Sequence, residues 1–361
     1  MPKTVLINGY FLQQKISGVQ RYAAELISAL AGIPQDKYRY LLVMPGGRQD
    51  LVQNIEGVEI VFDNSCLNPA VWTQFKLPLL AKKMGADILW SPCNVGPILP
   101  LVTHVVNVFD ASVYNDQNWF AWKFKTYYKI LFGCYRYTAS RLVTCSEFSK
   151  TEIVKYTGIP ADRVYVVYGA ISDNFRKVSG KTKLDGKYIL SLGSRDPRKN
   201  ISSLIKAWEQ LPALVKNGRR LAIVGGKSKA FAEERLSPEV EDIVFLGYVP
   251  DEELPALYSN ADCFVYPSFY EGFGLPPLEA MACGCPVVVS EAASLPEVCG
   301  DSALYINPYS VKSIADGICV IITDEKKRKE FLDNAVEVAK RFTWGKSASE
   351  LFKVLDQAGG H

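Results

Sequence analysis

The sequence predicts an α/β protein with two doubly wound parallel sheets, and three observations carry that expectation. Short continuous apolar runs recur along the chain, each followed by a segment with helical spacing, which is how a parallel sheet is buried between helices. The alternation breaks at a polar, charged stretch from Asp173 to Gly186 and restarts at Tyr188, as a second Rossmann-like domain would. The second half then places a strand, a glycine loop and a helix start within one short stretch, Cys263 to Gly284. A length of 361 residues suits two domains of ordinary size.

Thr4-Val5-Leu6-Ile7 reads as the first buried strand. After a polar loop ending in Ser17-Gly18, residues Val19, Tyr22, Ala23, Leu26, Ile27 and Leu30 recur at helical spacing, so Gly18 stands at a helix start. Strands are expected at Tyr40–Val43, Val58–Val61, Ile88–Trp90, Val105–Val108 and Leu142–Ser146, with helices around Trp72 to Met84 and from Ser149 to Tyr156. Trp119 to Phe132 is dense in aromatics, with lysines at 123, 125 and 129 between them. Two readings of residues 119–132 stand side by side: an interfacial helix docking on acidic lipid headgroups, or a helix packed on the sheet with solvated lysines. Val164–Val167 is a further strand before the polar stretch. The second half has expected strands at Tyr188–Leu192, Leu221–Lys227 with its end in glycines, Val244–Pro250, Cys263–Tyr266 and Pro286–Ser290, a helix from Glu252 to Tyr258, two helices from Val311 to Arg341, and a last helix from Phe342. The domains are drawn as 1–172 and 173–341, with 342–361 a terminal helix.

Composition narrows the function classes. Hydrophobic residues at 48% and charged residues at 22% fit a globular protein, and a net charge of only +3 does not argue for nucleic acid. The nine cysteines include no CxxC pair, and Cys283 and Cys285 alone are too sparse for a zinc site. No Asp-x-Asp pair offers to hold a divalent ion, so neither a metal nor another cofactor is expected. Met1-Pro2-Lys3 leads straight into a strand without a signal-peptide pattern, and no apolar run is long enough to span a bilayer. With reduced thiols, this points to a cytoplasmic protein. The absence of GxGxxG after the first strand disfavours a hydride-transferring dehydrogenase.

The chemistry concentrates in Ser268-Phe269-Tyr270-Glu271-Gly272-Phe273-Gly274-Leu275-Pro276-Pro277-Leu278-Glu279-Ala280-Met281-Ala282-Cys283-Gly284. Pro276 and Pro277 fit a helix start, where a missing N–H costs little. Loop amides and the positive end of the helix dipole then converge on one space, an anion cradle that a diphosphate fits. Glu271 stands at its mouth and Glu279 in the first helical turn. Neither carboxylate suits phosphate, but both can accept hydrogen bonds from sugar hydroxyls. The other reading is that Glu279 complements the helix dipole and Glu271 caps a loop.

The run from Tyr270 to Gly284, with its two glutamates eight residues apart, closely resembles the signature of the family-four retaining glycosyltransferases of the GT-B fold. That resemblance implies two Rossmann-like domains facing a cleft, the first on the acceptor side, the second binding a nucleotide-sugar donor, and the terminal helix crossing back to the first. It implies donor contacts from Gly18 in the loop Ser17-Gly18-Val19-Gln20-Arg21-Tyr22. It further implies a diphosphate held by Arg198 and Lys199 of Pro197-Arg198-Lys199-Asn200, with Arg195 nearby. Tyr248 and Val249 would line the nucleobase pocket, and Gly272, Phe273, Gly274, Leu275 and Glu279 would hold the donor, Glu279 at the ribose. Glu271, Arg198 and Lys199 would be the catalytic residues, without a metal. One position departs from the family: Phe109 stands where relatives usually carry histidine, before a retained Asp110. The similar enzymes often use GDP-mannose or another hexose donor in surface polysaccharide or glycolipid assembly, at the inner face of the membrane. Two rivals remain open at this level, a nucleotide-sugar-binding pseudoenzyme and a GT-B nucleotide-sugar epimerase.

Overall fold

The computed structural model describes residues 2–14, 18–46, 55–65, 67–117, 119–180, 182–193, 196–225 and 242–360. Two all-parallel sheets organise them. The first contains β1 (Lys3–Asn8), β2 (Tyr38–Pro45), β3 (Val58–Asp63), β4 (Ile88–Ser91), β5 (Thr103–Asn107), β6 (Arg141–Thr144) and β7 (Val164–Val166), in the order β3-β2-β1-β4-β5-β6-β7. The second contains β8 (Tyr188–Leu192), β9 (Arg220–Val224), β10 (Ile243–Gly247), β11 (Cys263–Tyr266), β12 (Val287–Ser290) and β13 (Ala303–Ile306), in the order β10-β9-β8-β11-β12-β13. Both orders reverse direction once, between β1 and β4 and between β8 and β11. In open α/β sheets ligands bind at the carboxyl ends of strands at such a reversal.

The chain divides into two compact units. The first comprises residues 1–114, 126–170 and 343–361, the second residues 115–125 and 171–342. The short segment 115–125 therefore groups with the second unit rather than with the 1–172 block drawn from sequence. The reason is aromatic packing: Trp119 lies 5.9 Å from the Tyr270 ring, and the Arg198 guanidinium stacks 5.1 Å from the Phe120 ring centroid.

In the first unit, Leu6, Val43 and Leu89 pack with Trp72, Leu77 and Ala81 of the 69–83 helical segment. The helix Gly18–Ala31 buries Tyr22, Ala23, Leu26, Ile27 and Leu30, a stripe at helical spacing. The C-terminal helix Trp344–Gly359 belongs to this unit: Trp344 meets the Tyr22 ring at 5.6 Å, Ser347 Oγ donates to the Tyr168 carbonyl at 2.7 Å, and Tyr38 Oη donates to Asp356 at 3.0 Å. In the second unit, helices Ile201–Glu209 and Val311–Thr323 bury Leu204, Trp208, Ile314 and Ile318 against Ile189, Leu221, Val265 and Val288. The strand β13, not expected from sequence, completes this sheet beside β12.

Candidate functional site

The reversal between β8 and β11 sets two loops side by side, because Cys263 and Phe264 of β11 pair directly with Ile189 and Leu190 of β8. The loop after β8 carries Arg198 and Lys199, and the loop after β11 carries Glu271 to Gly274. A backbone bond ties them, Phe269 N to Arg198 O at 2.8 Å.

The basic turn is built by Asp196. Its carboxylate caps the helical turn Pro197–Lys199 through the Arg198 amide at 3.0 Å, an ordinary N-cap contact. The same carboxylate, only 2% exposed, accepts from Arg198 Nε at 3.0 and 3.2 Å and from Nη2 at 2.7 Å. This fork-on-carboxylate geometry fixes the plane of the guanidinium. Asn200 follows in the left-handed region, φ +56°, and its amide donates to the Pro267 and Pro308 carbonyls at 3.0 and 2.7 Å.

Lys199 reaches inward. Its ammonium donates to both oxygens of Glu271 at 2.7 and 3.0 Å and also bonds the Tyr266 hydroxyl. Burial pushes the Lys199 pKa down, but Glu271, Tyr266 and Asp196 together outweigh it and the net direction is up. The predicted diphosphate lysine and the predicted sugar-side glutamate thus form one ion pair in this structure. Burial and the Glu271 charge raise the pKa of Tyr266, which is the last residue of β11 and nearly fully buried.

The glycine loop is held from behind by two buried serines. Ser290 Oγ donates to the Ser268 carbonyl at 2.5 Å, and Ser294 Oγ donates to the carbonyls of Glu271 and Phe273 at 3.0 and 2.7 Å. In a planar trans peptide the carbonyl and the next N–H point in opposite directions. Pinning those two carbonyls on Ser294 therefore turns the Gly272 and Gly274 amides to the other side, which is the polarity an anion requires. Gly274 adopts φ +108° as the N-cap of helix Leu275–Ala282, and a Cβ there would sit 2.7 Å from Leu295. Only glycine meets both conditions.

Glu279 requires a correction. The helix begins at Leu275, directly after Gly274 and before the proline pair, so Glu279 is its fifth residue and not in the first turn. It does not complement the dipole at the helix end. It is buried, and its carboxylate accepts from Tyr258 Oη at 3.0 Å. Tyr248 and Val249 follow β10 and line a cavity of about 470 Å³ with Thr182, Lys183, Glu252 and Glu253; Tyr248 is exposed and Val249 buried. Gly18 opens the first helix of the other unit and is exposed. Arg195 lies outside the described residues, as does Ser17.

In the first unit, Phe109 packs edge-on against Tyr22, ring centroids 4.9 Å apart, and its amide donates to Asn94 Oδ1 at 2.9 Å. His104 does not substitute for it. His104 is buried on β5 with Nε2 3.1 Å from Ser91 Oγ, and burial lowers its pKa to about 3.

Sequence reasoning passed over Asp196, Asn200, Tyr258, Tyr266 and Ser294. Only Asp196 carried a readable signal, an acidic N-cap residue before a proline. The tyrosines sat within expected apolar elements and looked like core.

Two Rossmann-like units, one with a basic turn and a glycine loop meeting at a strand-order reversal, define a doubly wound α/β protein whose loops stand where such folds bind ligands. Comparison with known proteins makes this specific. Residues 16–175 match the model of "Glycosyltransferase Family 4", and residues 172–338 match "Glycosyl transferases group 1". The O-antigen chain mannosyltransferase B of Escherichia coli is 36% identical over 256 residues, 67% of this chain and 65% of that protein. The O-antigen chain mannosyltransferase RfbU of Salmonella typhimurium is 31% identical over 262 residues, 69% of this chain and 70% of that protein. The chain thus spans slightly less than two thirds of the former relative. Among solved structures, Anabaena HepE in complex with UDP and glucose aligns over 99% of this chain and 100% of that one, with a TM-score of 0.71 at 17% identity. The chain belongs to the family-four glycosyltransferases, whose fold is GT-B.

Proposed function

We propose that the protein is a metal-independent retaining glycosyltransferase. It moves a hexose, mannose from GDP-mannose as the first choice, onto an acceptor hydroxyl in surface polysaccharide or glycolipid assembly. The observation that carries this reading is the meeting of Arg198, Lys199, Glu271 and the Gly272–Gly274 loop at the β8/β11 reversal. Relatives named as O-antigen mannosyltransferases support the sugar and the setting. The carboxylates of Glu252 and Glu253 beside Tyr248 and Val249 support guanine as the base, since carboxylates accept from its N–H groups.

The main task in such a transfer is to stabilise the negative charge growing on the diphosphate leaving group. Lys199 and Arg198 supply positive charge, and the Gly272 and Gly274 amides with the helix start at Leu275 supply dipoles. As the bond from the anomeric carbon to the phosphate oxygen breaks, the acceptor oxygen bonds that carbon on the same face. The acceptor's proton passes to the departing phosphate oxygen. No protein base is required, so Phe109 in place of histidine is compatible with turnover. Glu271 lies next to the reacting sugar and Glu279 binds the ribose.

The helix Trp122–Thr138 supports peripheral docking on anionic lipid. Among the described residues no helix is long and apolar enough to cross a membrane. This one exposes Trp122 at 71% and Tyr137 at 80%, with Tyr127 and Ile130 also open, while Leu131, Phe132 and Tyr135 are buried. Trp119 is buried, so the docking face begins at Trp122 rather than at 119. Lys125 donates to the Asn115 carbonyl at 2.6 Å and Lys129 lies over the Tyr114 ring.

The test is a thermal-shift and transfer screen of nucleotide sugars with excess EDTA present. GDP-mannose should raise the melting temperature by mass action and be consumed with a lipid-linked glycan acceptor. Stabilisation by UDP-sugars alone would refute the base, and loss of transfer in EDTA would refute metal independence.

A further inference from the structure

Two tyrosine hydroxyls of one aromatic row serve the glutamates of the signature, one directly and one through Lys199. Tyr258, Phe264 and Tyr266 stand in sequence, with Tyr258–Phe264 centroids 5.3 Å apart and Phe264–Tyr266 centroids 5.6 Å apart. Tyr258 Oη serves Glu279 at 3.0 Å. Tyr266 Oη bonds Lys199 Nζ, and its ring centroid lies 4.9 Å from that ammonium. Lys199 in turn gives two bonds to Glu271.

This arrangement poses an exchange problem for the site proposed above, on which the inference rests. Lys199 cannot give its full hydrogen-bonding capacity to a diphosphate while two of its three donors are on Glu271. When it turns to phosphate, Glu271 loses its bonds in a largely buried place, where an uncompensated charge is costly. The charged and titratable groups around it are Lys199 and, behind that, Asp196 and Arg198 of the basic turn, with Tyr266 from the strand end. Asp196 is acceptor-only and Arg198 is engaged with it. The Tyr266 hydroxyl is different, because a phenol both accepts and donates.

We propose that Tyr266 is a positioning residue that exchanges partners when the donor binds: its oxygen accepts from Lys199 in the empty site, and its O–H donates to Glu271 once Lys199 has moved to the diphosphate. The hydroxyl makes the lysine's departure affordable and keeps Glu271 oriented toward the sugar. A merely structural tyrosine would be replaced by phenylalanine without loss, because the ring, its stack on Phe264 and its burial are all retained.

The experiment is a binding cycle by calorimetry, with GDP-mannose and UDP-glucose as probes, on wild type, Lys199→Ala, Tyr266→Phe, Glu271→Gln and Tyr266→Phe/Glu271→Gln. Melting curves are recorded for each, and Glu271→Gln probes the same exchange without touching the strand. Lys199→Ala should weaken binding of the preferred probe. Tyr266→Phe removes a contact from Lys199 in the empty site, where the ammonium keeps two bonds to Glu271, and the contact to Glu271 in the loaded site, where the lysine has left. The second loss is the larger, so binding should weaken by about threefold or more, and in the Glu271→Gln background the same change should matter less than twofold. If neither probe binds, or if Lys199→Ala binds like wild type, the site reading fails and the exchange with it. If Lys199→Ala weakens binding but Tyr266→Phe does not, or weakens it equally in both backgrounds, the site reading survives and the exchange is overturned.

Discussion

Replacing Lys199 by methionine perturbs both the architecture and the chemistry, and the two effects separate. The lysine is not a surface residue: its side chain and that of Glu271 are 19% and 13% exposed. Removing one partner of a buried pair costs about 3–5 kcal/mol, and the residual solvent contact here places the loss near the lower end, about 3 kcal/mol. For a unit of this size each kcal/mol moves the melting temperature by about 2–4 °C, so a fall of about 6–12 °C is expected. Transfer should fall about 100- to 1,000-fold, the cost of losing one preorganised charge-stabilising donor. The double variant Lys199→Met/Glu271→Gln removes the stranded carboxylate. It should recover most of the lost melting temperature, because replacing a whole buried pair by neutral groups is often near neutral, yet transfer should stay low. The assay is a calorimetric melt beside a donor-consumption assay on all three proteins. Wild-type turnover in Lys199→Met would refute the diphosphate role. Recovery of activity together with stability in the double variant would show that the lysine acts only by holding the fold.

Three further outcomes follow from other parts of the molecule. Glu279→Gln should weaken nucleotide binding, at about 1.5–3 kcal/mol for a lost bond to a charged group, whereas Glu271→Gln should mainly depress kcat; identical kinetic defects in the two variants would remove the distinction between ribose and sugar roles. Buried His104 has its pKa lowered to about 3, so between the unfolded value near 6.5 and that value the unfolded chain binds more protons. Stability is therefore present above pH 6.5 and is lost as pH falls, at up to about 1.4 kcal/mol per pH unit from this group; a His104→Gln variant whose denaturant-derived stability shows the wild-type acid slope would contradict it. Sedimentation with anionic vesicles should fall as salt rises and should vanish when Trp122, Ile130 and Tyr137 become serine and Lys123 becomes glutamate; absence of binding at low salt would leave the helix as a packed element with an apolar face.

Much of the fold was legible because buried parallel strands are continuous apolar runs, as Val287-Val288-Val289 shows, and each expected strand starts within about two residues of its place, while those read through to Lys227 and Pro250 end earlier, at Val224 and Gly247. β13 was missed because Ala303-Leu304-Tyr305-Ile306 is short and follows a turn rather than a periodic helix. The placement of Glu279 was off by one residue, enough to put it past the first turn, because two prolines suggest a start at Pro276, whereas the left-handed Gly274 starts the helix a residue earlier. The anionic and cationic residues of the site stood out by type. Their supports did not: a serine whose hydroxyl reaches two carbonyls, or a tyrosine at a strand end, looks in sequence like any other. That information is in the tertiary placement of β11 beside β8.

Asn200 gives the basic turn a meaning beyond its charges. Its two amide protons are spent on carbonyls that follow β11 and β13, while its own backbone sits at positive φ. Glycine would accept that backbone but release both carbonyls, and aspartate would set oxygen against oxygen. Most other side chains would strain the backbone. The fourth residue of Pro197-Arg198-Lys199-Asn200 is thus a three-way rivet joining the loops after β8, β11 and β13. A change in the 307–310 turn, which touches none of the charged groups, would be transmitted through it to the position of Lys199. A substitution made at that edge of the sheet would therefore move the Lys199 ammonium as well, and the two places cannot be varied independently.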